Sequence, residues 1–144
     1  MRLMGLDIGD RTIGVAVSDP LFISAQGVTT IERVGIKKDT AKVLELVKEY
    51  EVETVVSGLP LMLNDTDSPQ TAKVREFVER LENKARSQGF KLKFEFQDER
   101  FTTKIAEDVL IAADMRREKR KTIIDRQAAV IILQSYLDAH RKTE

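Results

Sequence analysis

The residues of this sequence best able to do chemistry are acids. Asp7 closes an apolar stretch that begins at Leu3, where an unpaired buried carboxylate would be costly. Glu99 lies in the polar segment Asp98-Glu99-Arg100, with Asp98 as the alternative acid at that corner. Asp125 shares a helical stripe with Ala128, Ala129, Ile132 and Tyr136. Three converging carboxylates repel one another unless a cation neutralises them. The sequence has no cysteine, and its one histidine, His140, reads as a surface residue near the end. Any metal at Asp7, Glu99 and Asp125 must therefore sit on oxygen, which favours Mg²⁺ or Mn²⁺ over zinc or copper. Such ions suit phosphodiester hydrolysis, where they activate water and stabilise the leaving oxygen.

A phosphate-bearing partner needs cations. Lys+Arg and Asp+Glu are equal at 24 each, so no global field marks a nucleic-acid binder and local distribution decides. The densest cluster is Arg116, Arg117, Lys119, Arg120 and Lys121, interrupted by Glu118. It is expected to hold a phosphate backbone and, as closely spaced like charges without an apolar anchor, to leave 115–121 poorly ordered without a ligand. Arg11 and Arg100 adjoin the acids and are further candidates for phosphate, or for holding a carboxylate in place.

These side chains need a frame. Residues 2–8 and 12–17 read as a hairpin about Gly9-Asp10, with Leu3, Gly5 and Asp7 on one face and Met4, Leu6 and Ile8 on the other. A third strand is expected over 27–32, then a helix capped by Asp39 with Leu44, Val47 and Tyr50 inward. A short buried strand at 54–57 ends at Gly58-Leu59-Pro60, and Ser68-Pro69 starts a helix that Gly89 stops. Strand, helix, strand implies a parallel crossover. Residues 91–96 alternate as a near-edge strand, Leu92, Phe94 and Phe96 inward. Thr102 or Thr103 caps a further helix carrying Ile105, Val109, Leu110 and Ala113, and 123–140 forms the last. Ligands of open α/β sheets gather at the carboxyl ends of parallel strands, where Asp7 and Glu99 fall. Ala128 and Ala129 are small enough to bring Asp125 close to the same edge.

A chain of 144 residues, 42% hydrophobic and 33% charged, fits one α/β domain over its whole length. The absence of cysteine fits a reducing compartment, and no apolar run approaches the roughly 18 residues of a membrane span. With no signal-peptide character at its start, the expectation is a cytoplasmic protein.

Over nearly its full length the sequence resembles the YqgF (RuvX) family, the pre-16S ribosomal RNA nucleases related to Holliday junction resolvases. The resemblance is carried by Leu6-Asp7-Ile8-Gly9, by 13–19 (Ile-Gly-Val-Ala-Val-Ser-Asp), by Gly58-Leu59-Pro60-Leu61, by Asp98-Glu99-Arg100 before Thr102, and by Asp125 ahead of Ala128-Ala129 and Ile132-Leu133-Gln134. It implies an RNase H-like fold, a five-stranded mixed sheet flanked by helices, with Asp7, Glu99 and Asp125 at the family's acidic site. It also implies an endonuclease trimming the 5′ end of precursor 16S rRNA. The chain is expected to work as a monomer or homodimer. The chain departs from the family at Asp10-Arg11, where Lys-Arg is usual, and at Asn64-Asp65-Thr66, where a glycine is usual. Rival readings are a dimeric DNA junction resolvase, a non-catalytic nucleic-acid-binding or transcription factor, and an actin-like ATPase, which needs a second lobe that this length does not supply.

Overall fold

The alternation along the first strand divides the molecule into layers. In the computed structural model, which describes residues 1–60, 68–98 and 117–141 (side chains of the last helix over 127–139), β1 (Arg2–Ile8) lies mid-sheet. Met4, Leu6 and Ile8 face one apolar cluster, and Leu3 belongs to another on the opposite face. β2 (Thr12–Ser18) and β3 (Ala25–Glu32) continue the meander, while β4 (Val52–Leu59) and β5 (Lys93–Asp98) arrive through crossovers. The sheet has five strands in the order β3-β2-β1-β4-β5. β2 is antiparallel to both β1 and β3, whereas β4 and β5 run parallel to β1. The expected five-stranded mixed sheet is present, with β1, β4 and β5 ending on one edge.

Helices α1 (Ile36–Glu49) and α2 (Pro69–Ser87) cover the Met4 face with Val43, Leu44, Val47, Val74, Phe77, Val78 and Leu81. At the start of α2 the Ser68 hydroxyl accepts from the Thr71 N–H (3.2 Å), and the Thr71 hydroxyl accepts from the Ser68 N–H (3.0 Å). Proline follows the cap, as the sequence predicts. α1 differs from expectation. It begins at Ile36, and Asp39 is a buried first-turn residue rather than the cap. Its carboxylate reaches back to the N–H groups of Val34 (3.0 Å) and Gly35 (3.4 Å), satisfying donors ahead of the helix from inside it.

The last helix, α3 (Arg117–Arg141), covers the other face with Ala129, Ile132, Leu133 and Leu137 against Leu3, Ala16 and Val56. It starts at Arg117 instead of Ile123, so most of the basic run is helical. Lysine, arginine and glutamate are good helix formers, and a docked apolar stripe downstream extends helix into them. The helix anticipated after Thr102 or Thr103, the segment Asn64-Asp65-Thr66 and the residues Met115 and Arg116 lie outside the described residues. Among those described, no helix is long and apolar enough to cross a membrane.

Contact between α3 and the sheet is closest at Gly5. A Cβ there would lie 2.7 Å from the Leu133 Cβ and 2.8 Å from the Ala129 carbonyl oxygen. Further along α3, the Gln134 side-chain oxygen accepts from the Ala25 N–H (2.9 Å). Ala25 pairs with Ser18, whose hydroxyl accepts from the Leu3 N–H (2.9 Å). Moving from Ala129 to Gln134 therefore travels from Gly5 towards the start of β1, and the helix runs antiparallel to that strand. Replacing Gly5 by Ala should push the helix off the sheet and lower unfolding free energy by about 1–3 kcal/mol, measured by urea titration. Unchanged stability would show that the contact relaxes without cost.

Candidate functional site

Asp7 is half-buried on a strand whose residues 3–6 and 8 are buried, so the break seen in the sequence is also a break in burial. Its side chain shares the α3 face with Leu3 and Gly5. Across the antiparallel ladder Asp7 pairs with Gly14. On the other side Leu6 pairs with Ser57, and continuing that register sets Gly58 beside Asp7 and Gln97 beside Gly58. Both lateral neighbours of the acid are thus glycines, which put no side chain against its carboxylate.

Asp125 lies on α3 one turn before Ala129. Since α3 runs antiparallel to β1 and Ala129 sits over Gly5, that turn carries the helix towards Asp7. The backbone at Asp125 therefore lies on the Asp7 side of the Gly5 contact. The side chain of Asp125 lies outside the described residues, as do Glu99 and Arg100 altogether. In the sequence Glu99 directly follows Asp98, the residue that ends β5 at the sheet edge where β1 ends. Among the described residues no group of three potential metal ligands is assembled.

Of the basic candidates, Arg11 is exposed in the β1–β2 turn. Arg117, Lys119, Arg120 and Lys121 occupy the first turns of α3, at the end of that helix nearer Asp7, and their side chains lie outside the described residues. Asp10, where the family usually has lysine, pairs with Lys73 of α2 (3.3 Å); both are largely exposed, so the pair contributes little.

Sequence reasoning missed the device that fixes this turn. Arg33 donates from Nη1 to the Gly9 carbonyl (2.9 Å) and from Nε to the Asp39 carboxylate (3.0 Å). Its guanidinium carbon stands 5.1 Å from the centre of the Phe77 ring. The Arg33 N–H also bonds the Arg11 carbonyl (2.9 Å), and the Gln70 side chain reaches the Ile8 carbonyl (3.4 Å). The chain just after Asp7 is thereby tied to β3, α1 and α2. Burial pushes the Asp39 carboxyl up, but donation from the Val34 N–H, the Arg33 side chain and the Gly35 N–H outweighs it and holds Asp39 below its usual 3.8. On the α3 face, burial and the nearby Glu95 carboxylate raise the Tyr136 phenol, so Glu95 and, two residues on, Gln97 line the same side as Asp7.

The profile of the RuvX family, described as Holliday junction resolvase, matches residues 1–139. The chain belongs to that family. Among RuvX relatives, it is 48% identical over 139 residues to a protein of Clostridium novyi, covering 96% of this chain and 99% of the relative. It is 51% identical over 137 residues to one of Clostridioides difficile, covering 95% and 94%. Both are named as pre-16S rRNA nucleases. Among solved structures, the chain resembles T. thermophilus RuvC in complex with a Holliday junction substrate, with a TM-score of 0.61 at 16% identity over 99% of this chain and 97% of that one. It also resembles the fowlpox virus resolvase bound to Holliday junction DNA, with a TM-score of 0.59 at 16% identity over 97% and 99%. The fold is RNase H-like. As a RuvX member the protein is a nuclease, a hydrolase of phosphodiester bonds.

A depressed carboxyl contributes stability above its unfolded value and loses it as pH falls through its folded value. Asp39→Asn should therefore cost about 1.5–3 kcal/mol at neutral pH, and its gap from wild type should close below about pH 4. Chemical unfolding across that range reads both quantities, and a gap independent of pH would contradict the charged clamp.

Proposed function

We propose that this chain is a divalent-metal-dependent endonuclease that processes the 5′ end of precursor 16S rRNA, with Asp7, Glu99 and Asp125 as its catalytic and metal-holding acids. The observation that carries the reading is the half-buried Asp7 between Gly14 and Gly58, with the Asp125 turn of α3 on the Asp7 side of the Gly5 contact. An acid so placed, on a strand otherwise closed to solvent, fits a hard cation with oxygen ligands. Mg²⁺ or Mn²⁺ at such a site supplies charge neutralisation and an activated water for phosphodiester cleavage.

The chain's own residues divide the remaining work. Asp7 is the fixed ligand, since the Arg33 clamp immobilises the turn that follows it. Glu99, next in the sequence after β5, and Asp125 of α3 complete the oxygen set. Arg11, Arg100, Arg116, Arg117, Lys119, Arg120 and Lys121 hold backbone phosphates and set the register of the substrate. Precursor rRNA is preferred over a DNA junction because the relatives at 48% and 51% identity carry the RNA name, whereas the junction-bound structures are related at 16%. Junction cleavage is the second reading, favoured by the family's description, and it requires a homodimer to place paired cuts.

Asp7→Asn should bring cleavage of a precursor 16S transcript to background with the fold intact by circular dichroism. Wild-type turnover in Mn²⁺ would remove Asp7 from the site. Glu99→Gln and Asp125→Asn should each do the same, and a four-way DNA junction assayed beside the RNA decides between the substrates. Changing Arg117, Lys119, Arg120 and Lys121 to Gln should weaken RNA binding at low salt. The slope of log affinity against log salt should become shallower by about 0.7 for each lost phosphate contact on a single strand. An unaltered slope would mean that these side chains do not touch phosphate.

A further inference from the structure

We propose that Gln97 reads the ribose 2′-hydroxyl of a nucleotide bound at Asp7 and so makes the site selective for RNA over DNA. The proposal rests on the nuclease reading above and names the substrate class of that same site. Its ground is the strand register. β4 and β5 pair Gly58 with Gln97, and the β1–β4 register, continued by one residue from Leu6 and Ser57, sets Gly58 beside Asp7. Residues level with one another on neighbouring strands share a face. Phe94 packs with the core under α1 and α2, whereas Phe96, expected inward beside it, is 38% exposed. Glu95 and Gln97 alternate with these two and take the α3 face, where Val56 of β4 packs and Asp7 stands. Asp7 and Gln97 therefore rise from the same side of the sheet with only a glycine between them.

With strands about 4.8 Å apart, the two backbones are roughly 10 Å from one another. Gly58 puts no side chain into that interval, so its floor is main chain. A nucleotide whose phosphate lies at Asp7 carries its ribose alongside, in the interval that Gln97 borders. Gln97 is half-buried, and among the described residues its amide has no hydrogen-bond partner. A cation in its place would pair with the acids, and another carboxylate would add to their repulsion. A neutral amide does neither, and it offers both a donor and an acceptor on one planar group. The 2′-hydroxyl is likewise donor and acceptor, whereas deoxyribose has nothing to present there. A site that hydrogen-bonds a hydroxyl discriminates against the analogue that lacks it, because its own polar group is then left unpaired.

The test uses the full chain carrying Asp7→Asn to prevent cutting. Its probes are a short RNA from the 5′ leader of precursor 16S rRNA and the same oligonucleotide in 2′-deoxy form, with binding read by anisotropy. Adding Gln97→Met, which keeps the length of the side chain, should weaken RNA binding by about 3- to 10-fold, the loss of one hydrogen bond. Binding of the deoxy form should stay as it was, so the preference for RNA falls by the same factor. Such a cycle separates a contact made to the hydroxyl from a general loss. A merely structural glutamine predicts that both probes weaken equally. Equal weakening, or undiminished RNA binding by the folded variant, overturns the proposal; if Gln97→Met does not fold, Gln97→Ala supplies the same comparison. Continued cleavage by Asp7→Asn would instead sink the acidic site, because the 2′-hydroxyl contact is read from binding and not from turnover.

Discussion

Helix α3 can approach β1 only because one strand position has no side chain. At Gly5 the Ala129 carbonyl and the Leu133 Cβ occupy the space that any Cβ would need. That contact sets the height of the helix over the sheet, and the Gln134 bond to Ala25 sets its direction. Together they determine where the first half of α3 runs, including Asp125 and the basic residues ahead of it. Had β1 carried a larger residue at this point, the same helix could still cover the sheet with leucine and isoleucine. It would ride higher, and an acid one turn before Ala129 would be carried away from Asp7.

The opposite layer constrains the site differently. α1 and α2 fill their face with branched and aromatic side chains, and their polar ends converge on the β1–β2 turn. Arg33 is the pivot: it spans the Gly9 carbonyl, the buried Asp39 carboxylate and the face of Phe77. Arginine suits this place because a planar group with several donors can serve two acceptors in fixed directions while lying flat on a ring. Asp39 in turn is buried at little cost because main-chain donors from Val34 and Gly35 share its charge. Asp7 is thus held by the β2 ladder on one flank, by the β4 ladder that ends one residue earlier on the other, and by a clamp immediately behind it. Positioning of that quality is what a carboxylate that must wait for its cation and substrate requires.

Much of this was legible in the sequence, for reasons that differ by residue. Strand alternation assigns Asp7 a face without knowledge of the partner strand, and helical spacing puts Asp125 in line with Ala129. Ser68-Pro69 announces α2 through local chemistry alone. What escaped depends on pairing between distant segments. Nothing in the order of residues places Gly14 and Gly58 on either side of Asp7; that follows from two strand registers. The Arg33 clamp joins residues from a turn, a strand end and two helices. The sequence marks Asp39 as a helix-start residue but not its position, because an acid in the first turn and one at the cap serve the same donors. The sequence points to a start of α3 at Ile123 because the crowded charges of 117–121 have no apolar anchor, whereas their helix propensity and the docked stripe beyond them favour helix.

Phe96 shows why alternation has a boundary. A period of two says which side of the sheet a residue occupies, and it says nothing about whether that side is covered. In the middle of the sheet the distinction is idle, since α1, α2 and α3 roof both faces. At β5 it matters: Phe94, one pair earlier, is packed against the core, and Phe96 is past the end of that cover. A fully buried aromatic side chain gains about 1.5–3 kcal/mol over an exposed one, so leaving the ring in water gives up part of that gain. The Arg75 guanidinium carbon, 5.5 Å from the ring centre, offsets only part of the loss at an exposed site.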